Sequence, residues 1–359
     1  MPRKLLAAAS LASLAALAAA GCGSSSSNSS STTAPAATSG SATTAPSTSA
    51  GSGGSGGSGL PAAPAAGSGK GKSLALIQGT KGDAFYITMA CGAQAEAARL
   101  GAKINVQGPA TFSASEQIPI VNAVTAAHPD AVLIAPTDSQ ALIAPMTQMK
   151  SAGIKLVEVD TTVKDSSLAV SSISSNNLEG GQLAAKTLAG LVGDKGSVVV
   201  INEQPGISTT DARAQGFDQE MKNYPGITVL PIQYDQDNAN TAASLVSSVL
   251  AAHPDLSGIF AINTLTAQGV GTGLRQAGAQ GRVKTVGFDA GPQQVQQLQA
   301  GVVQALIAQQ PYQEGVTGVD EAVDALTGQP TQAQVGTNLV AITQSNLSQM
   351  QSYLYKGSC

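Results

Sequence analysis

From Ser73 onward, short apolar runs alternate with longer stretches in which apolar residues recur every three or four positions. SLALIQ at 73–78 has the pattern of a buried strand, and Phe85–Leu100 carries a helical period that stops at Gly101. Lys103–Val106 predicts a strand, Ser113–Ala127 a helix, Ala131–Ala135 a strand and Gln140–Ala152 a helix. Lys155–Val159 and Leu168–Ile173 predict two more strands. Short β-rich runs alternating with helices of about 12–16 residues predict βαβ units and a parallel sheet.

The order then restarts. SVVVIN at 197–202 echoes SLALIQ 124 residues later, and AAHPDLSG at 251–258 echoes AAHPDAVL at 126–133 after 125 residues. IKLVEVDTT at 154–162 ends a strand in Asp160, and RVKTVGFD at 282–289 ends one in Asp289, 129 residues on. Three echoes at nearly one offset predict a duplicated α/β lobe. After a strand at Val302–Ala308, Pro311 opens a helix over Tyr312–Leu326, as proline suits a first helical turn. A strand at Leu339–Ile342 and a polar tail to Cys359 follow, and these extra elements predict a return to the first lobe.

Composition changes the picture at the N-terminus. Arg3 and Lys4 precede an apolar small-residue run, Leu5–Ala20, so residues 1–21 are expected to be a secretion signal, too short for a comfortable membrane span. The run ends Leu17-Ala18-Ala19-Ala20-Gly21-Cys22 and resembles a bacterial lipobox, which implies acylation of Cys22; Ala19 stands where that pattern prefers leucine. Residues 22–72 are Ser, Thr, Ala, Pro and Gly almost throughout and are expected to be a disordered tether. In the rest of the chain aromatics are scarce (3% overall, no Trp), so the core is built from Ala, Val, Leu and Ile. A net charge of −4, with no basic run after the first four residues, leaves no footprint for nucleic acid.

A carboxylate at the carboxyl end of a parallel strand stands where open α/β sheets bind ligands. Asp160 and Asp289 therefore predict two lobes facing one cleft, each offering an acceptor. Enzyme chemistry lacks an inventory: the two histidines, His128 and His253, occupy the same position of the repeated AHPD turn, which marks them as structural. No Walker A pattern and no Cys/His metal spacing occur, and Gly269, Gly271 and Gly273 fall inside a helical stretch without dinucleotide-binding spacing. No cofactor and no metal are expected.

DAFYITMACGAQ (83–94), IAPTDSQA (134–141), VEVDTT (157–162) and SSNNLEGGQLAA (174–185) stand in order with TDARAQGF (210–217), GIFAIN (258–263), VGFD (286–289) and IAQQP (307–311). Together they resemble the ribose/galactose-type sugar-binding branch of the type I periplasmic binding proteins. The resemblance spans Ser73–Thr343. It implies two Rossmann-like lobes with parallel sheets joined by a three-strand hinge, with crossings near Ile173–Asn177, Gln309–Gln310 and Asn338–Ala341. The expected division is 73–175 plus 310–338 for the N-terminal lobe, 176–309 for the C-terminal lobe, and 339–359 for the last hinge strand and tail.

By the same resemblance, Phe85 or Tyr86 stacks on a sugar face, and Asp83, Asp160, Arg213, Asn263, Asp289 and Gln309 bond its hydroxyls. Adjacent helical residues do not share a face, so one ring of the pair can serve the core and the other the site. Three departures stand against a ribose contact set. Ala135 replaces an asparagine, Thr161 replaces an arginine, and no aromatic occupies the second lobe's stacking position, near which Asp237 falls with Tyr234 the nearest ring. The resemblance implies a monomeric receptor, anchored by lipid at the outer face of the cytoplasmic membrane, that delivers a sugar or polyol to an ABC permease. The same fold also serves as a sensory module reporting to a membrane receptor. With Cys22 acylated, Cys91 and Cys359 remain in an oxidising compartment and are expected to form a disulfide.

Overall fold

The computed structural model describes residues 60–359. The expected secretion signal and the Cys22 acylation site lie outside them. The tether is corrected at its end. Residues 60–72 are not free: Leu60 packs on the core, and the Gly67 and Gly69 amides donate to the carbonyls of Arg99 (3.2 Å) and Leu100 (2.9 Å). Composition alone favours disorder there, and docking on a helix end overrides it.

The first lobe opens with β1 (Ser73–Ile77), α1 (Ala84–Leu100), β2 (Lys103–Gln107), α2 (Ala114–Ala127) and β3 (Ala131–Ile134). It continues through α3 (Ile143–Ser151), β4 (Lys155–Val159) and β5 (Ser171–Ser175). The second begins with α4 (Asn177–Val192), β6 (Gly196–Asn202), α5 (Ser208–Met221), β7 (Ile227–Val229), β8 (Gln233–Tyr234) and α6 (Ala239–Ala252). β9 (Leu256–Ala261), α7 (Thr264–Gln276), β10 (Lys284–Phe288), α8 (Pro292–Gln299) and β11 (Ala305–Ala308) complete it. α9 (Pro311–Thr327), β12 (Gln334–Thr337) and β13 (Val340–Thr343) follow.

The sheets run β12-β5-β4-β3-β1-β2 and β13-β11-β10-β9-β6-β7, with β8 also on β6. Without their last-added strands, both have the order 2-1-3-4-5 of a doubly wound fold. The sequence repeat is thus a structural repeat. Every pairing is parallel except β11 with β13.

Local signals set most boundaries. Asp83 caps α1 by accepting the Phe85 amide at 2.7 Å, and Gly101 ends it in the left-handed conformation. Pro311 opens α9 and Gly328 closes it. Three boundaries differ from the pattern. α3 starts at Ile143 because the Asp138 carboxylate takes the Gln140 and Ala141 amides into a turn. β5 lies at Ser171–Ser175, where Ser171 pairs with Val157 of β4 and Ile173 with Val335 of β12, while Leu168 enters the core from the preceding loop. β11 starts at Ala305, because the Val302 and Val303 amides are spent on the Gln297 carbonyl.

The chain passes between sheets at three places. β5 leads through Asn176 into α4, which packs on α5 and β10; β11 leads through Gln309 and Gln310 into α9, which packs on α1 and β4. β12 leads through Asn338 and Leu339 into β13. Buried Glu314, in the first turn of α9, joins two of these crossings by accepting from Ser175 (2.7 Å) and Thr337 (2.9 Å).

Glycines bring helices of each lobe into backbone contact. Gly181 of α4 abuts the Arg213 carbonyl of α5, and Gly216 of α5 abuts the Leu178 carbonyl of α4. Gly92 and Gly315 do the same for α1 and α9. Apolar clusters flank both faces of each sheet, and the second lobe adds a stacked Phe217–Phe260 pair with ring centroids 5.0 Å apart. A disulfide joins Cys91 of α1 to Cys359. Among the described residues, no helix is long and apolar enough to cross a membrane and no acidic, His or Cys cluster is arranged to hold a metal.

Candidate functional site

Between the lobes, at the carboxyl ends of both sheets, lies a narrow cavity of about 40 Å³. All eight residues singled out in the sequence line it: Asp83, Phe85, Tyr86 and Asp160 from the first lobe, Arg213, Asn263 and Asp289 from the second, and Gln309 from a crossing.

The two strand-ending aspartates are structural equivalents. Asp160 has φ 64° and Asp289 φ 77°, the left-handed region that Asp tolerates better than most residues. In both, the backbone amide bonds the next strand, Asp160 to the Ile173 carbonyl and Asp289 to that of Ile307, each at 2.8 Å. This conformation turns the chain off the sheet edge at the point where each carboxylate meets the cavity. Asp160 Oδ2 accepts from the Tyr86 hydroxyl at 2.5 Å. Asp289 Oδ1 accepts from Gln309 Nε2 (2.6 Å) and the Tyr355 hydroxyl (2.9 Å), and Oδ2 from the Thr264 hydroxyl (3.0 Å).

Arg213 is held on three sides. Its Nε donates to Asn177 Oδ1 at 2.7 Å, Nη1 to the Ile262 carbonyl at 3.1 Å, and its guanidinium stacks 3.8 Å from the centre of the Phe288 ring. The remaining N–H donors are free for the cavity that Arg213 lines. Asn263 is committed to the protein: its Nδ2 donates to Glu203 Oε2 (3.1 Å) and Asp237 Oδ1 (3.0 Å), and its oxygen caps α7 on the Thr266 amide (3.0 Å). Its place is therefore to orient two carboxyls. Asp83 both caps α1 and lines the cavity.

Tyr86 faces Phe112 at 6.5 Å with the rings 25° apart, and Phe85 lies edge-on to Tyr86 at 5.1 Å. Thr161, at the position expected for arginine in the ribose pattern, is buried and donates its hydroxyl to the Pro136 carbonyl.

The residues missed from the sequence include Phe112, Glu203, Thr264, the neighbouring Thr209 and Thr210, and the site role of Asp237. Phe112 had a signal, being a lone aromatic in a polar loop of an aromatic-poor chain. Glu203 had none, because the separate loops after β6 and β8 bring it to Asp237 only in the fold, and the register of the resemblance places Asp237 near a ligand-facing position without giving it a role.

The walls carry five carboxyls, Asp83, Asp160, Glu203, Asp237 and Asp289, against the single guanidinium of Arg213. Burial, reinforced by the charge of Asp289, pushes Asp83 up to about 7. Burial, with Asp83 nearby, likewise lifts Asp237 to about 7. Asp160 rises through burial to about 6, restrained by Arg213 and the Tyr86 bond, and Glu203 is raised well above its ordinary value by burial and its acidic neighbours. Away from the cavity, burial lifts Glu314 and Asp320 to about 8.

A pH dependence follows. Each raised group keeps its proton in the folded chain at pH values where the unfolded chain has lost it. The folded state then holds more protons, and stability falls as pH rises from about 4 to about 8. Carboxyls lowered by local bonds, such as those of Asp130 and Glu116, act oppositely but only below that window. The ligand-free protein is expected to melt on the order of 5 °C higher near pH 5 than near pH 8. Differential scanning fluorimetry across that range checks this, and a flat or inverted profile contradicts it.

Comparison with known proteins covers both lobes. The periplasmic binding protein domain family matches residues 74–330. Ribose import binding protein RbsB of Escherichia coli (strain K12) is 30% identical over 267 residues, 74% of this chain and 89% of its own length. The crystal structure of an ABC transporter solute binding protein from Agrobacterium vitis, bound with alpha-D-tagatopyranose, aligns with a TM-score of 0.78 at 42% identity, covering 79% of this chain and 99% of the other. A second A. vitis solute binding protein, with bound D-fucose, aligns at TM-score 0.76 and 28% identity over 79% of this chain and all of the other. These relatives are binding proteins and not enzymes. With two doubly wound lobes enclosing one polar cavity, and with relatives matched across both, this chain belongs to the type I periplasmic binding proteins, in their ribose/galactose branch.

Proposed function

We propose that this chain is the extracytoplasmic receptor of an ABC importer and binds one monosaccharide between its lobes. The observation that carries this is a pair of buried polar oxygens without a hydrogen-bond partner, Glu203 Oε1 and Gln309 Oε1, on residues lining a cavity that also presents a guanidinium. A buried unpaired polar oxygen costs about 1–3 kcal/mol, which a ligand rich in hydroxyls recovers. Sugar hydroxyls donate to the carboxylates and accept from Arg213, and the Phe112–Tyr86 ring pair offers a face for C–H bonds. A ligand touching both lobes favours the closed state by its differential affinity.

Both walls come from one chain, which supports action as a monomer. The lipobox-like run ending at Cys22 supports anchorage at the outer face of the membrane, with 23–59 as spacer. The 42% identity to the tagatose-bound protein places D-tagatose first among ligands to try, ahead of D-fucose and D-ribose. At 100 times its dissociation constant, a true ligand adds about 2.7 kcal/mol of stability. A thermal-shift panel of these sugars with D-allose and D-arabinose is expected to give a saturable rise in melting temperature. Absence of a shift with every monosaccharide would overturn the sugar reading.

A further inference from the structure

The three strand crossings are not the only links between the lobes. After β13 the chain runs on through Tyr355 and ends in the disulfide to α1. Tyr355, 6% exposed, is fastened to the second lobe by its amide on the Ala290 carbonyl (3.1 Å) and its hydroxyl on Asp289 Oδ1 (2.9 Å). The same hydroxyl accepts the Gln309 amide at 3.0 Å, inside a crossing. Its ring meanwhile packs edge-on to Phe85 of the first lobe at 5.9 Å. The next residue already belongs to the first lobe, since the Lys356 amide donates to the Thr88 hydroxyl at 2.7 Å.

We propose that the segment Ser345–Cys359 is a covalent clasp, in which the Cys91–Cys359 bond holds Tyr355 in place and Tyr355 positions Asp289 for ligand. Only Lys356, Gly357 and Ser358 separate Tyr355 from Cys359, and a stretch of that length spans at most about 14 Å. While the disulfide stands, lobe opening moves Tyr355 only within that short leash, so the hydroxyl returns to Asp289 on each closure. Without it, the tail is free to leave, Asp289 loses one of its three donors, and the Gln309 backbone amide loses its acceptor. Tyr355 does not line the cavity. It is a positioning residue that acts through Asp289. The part of this inference that concerns affinity rests on the sugar reading; the part that concerns mobility does not.

The test uses the full chain, Tyr355→Phe, the double variant Cys91→Ser/Cys359→Ser, and the triple variant, titrated calorimetrically with D-tagatose. Tyr355→Phe keeps the ring, the disulfide and the packing, so it isolates the hydroxyl. The expected result is at least about a tenfold rise in Kd for Tyr355→Phe and for the double variant, comparable to losing a hydrogen bond to a charged group. The triple variant is expected to be no weaker than the double, because the disulfide acts through Tyr355; additive losses would overturn the proposal. Hydrogen exchange of the sugar-free proteins supplies a readout without ligand. Amides of residues 286–291 are expected to exchange several-fold faster in both Tyr355→Phe and the double variant, while those of β1 stay unchanged. Unaltered exchange at 286–291 overturns the clasp. Failure of unmodified protein to bind D-tagatose, with the exchange difference present, supports the clasp and counts only against that sugar.

Discussion

Replacing Asp289 by alanine is expected to weaken sugar binding by about two to three powers of ten, the range for truncating one partner of a buried hydrogen-bonded charge. Asp289 is the acceptor of three donors, from Gln309, Tyr355 and Thr264, drawn from a crossing, the tail and α7. Alanine leaves all three unpaired in a buried site and removes one of the two strand-end acceptors. It also places a Cβ residue less tolerant than Asp at φ 77°, a strain of about 1–2 kcal/mol. Asparagine separates these effects. It tolerates the same backbone and keeps one oxygen for Gln309 and Tyr355, but turns the other position into a donor, so Asp289→Asn is expected to lose less affinity than Asp289→Ala. One consequence runs the other way: the charge of Asp289 helps to raise Asp83, so its removal brings Asp83 down towards the ordinary carboxylate range. Calorimetric titration of the two variants with the best sugar from the panel checks the ranking; equal and near-native affinities would remove Asp289 from the site.

Gly181→Val is expected to cost about 3 kcal/mol of stability or more, at the upper end of overpacking substitutions. A Cβ at this position would fall well inside the van der Waals contact distance of the Arg213 carbonyl oxygen and 2.9 Å from the Phe217 amide nitrogen. Both obstacles are backbone, so neither yields by changing rotamer, and α4 and α5 must move apart. Arg213 sits on that interface and takes its direction from Asn177 at the start of α4, so the displacement reaches the cavity. Sugar affinity is expected to fall together with the urea midpoint. Gly190→Ala on the same helix is the control. Its Cβ meets nothing within 4 Å, and replacing a glycine in the last turn of the helix is expected to be neutral or stabilising by up to about 0.5–1 kcal/mol. If Gly181→Val melts with Gly190→Ala, close helix approach is not what that glycine provides.

Legibility in the sequence followed the range of the interaction. Asp160 and Asp289 could be located because a strand run, its terminal carboxylate and the repeat are all local or periodic features. Helix ends at Gly101 and Pro311 were likewise readable from residues within one turn. Misplacements came where a side chain or distant strand competed with local pattern. The Asp138 carboxylate shortened α3, and ladder pairing with Val157 and Val335 moved β5. Residues 60–72 have the composition of a linker and nonetheless dock, through two amides on the end of α1.

The site divides along the same line. The amino-acid sequence by itself determined the duplicated α/β lobes and the two carboxylates at matching strand ends, and its motif resemblance to the ribose/galactose-type family implied the rest of the eight residues that meet at the cavity. Each depends on hydrophobic period, strand length or a contiguous motif. Only the tertiary structure decided what those residues do to one another: that Asn263 spends its amide on Glu203 and Asp237, that five carboxyls share one guanidinium, and that Tyr355 reaches Asp289 across 66 residues of chain. Hydrogen-bond commitment and burial depend on which groups are within about 3 Å after folding, and no local pattern carries that distance.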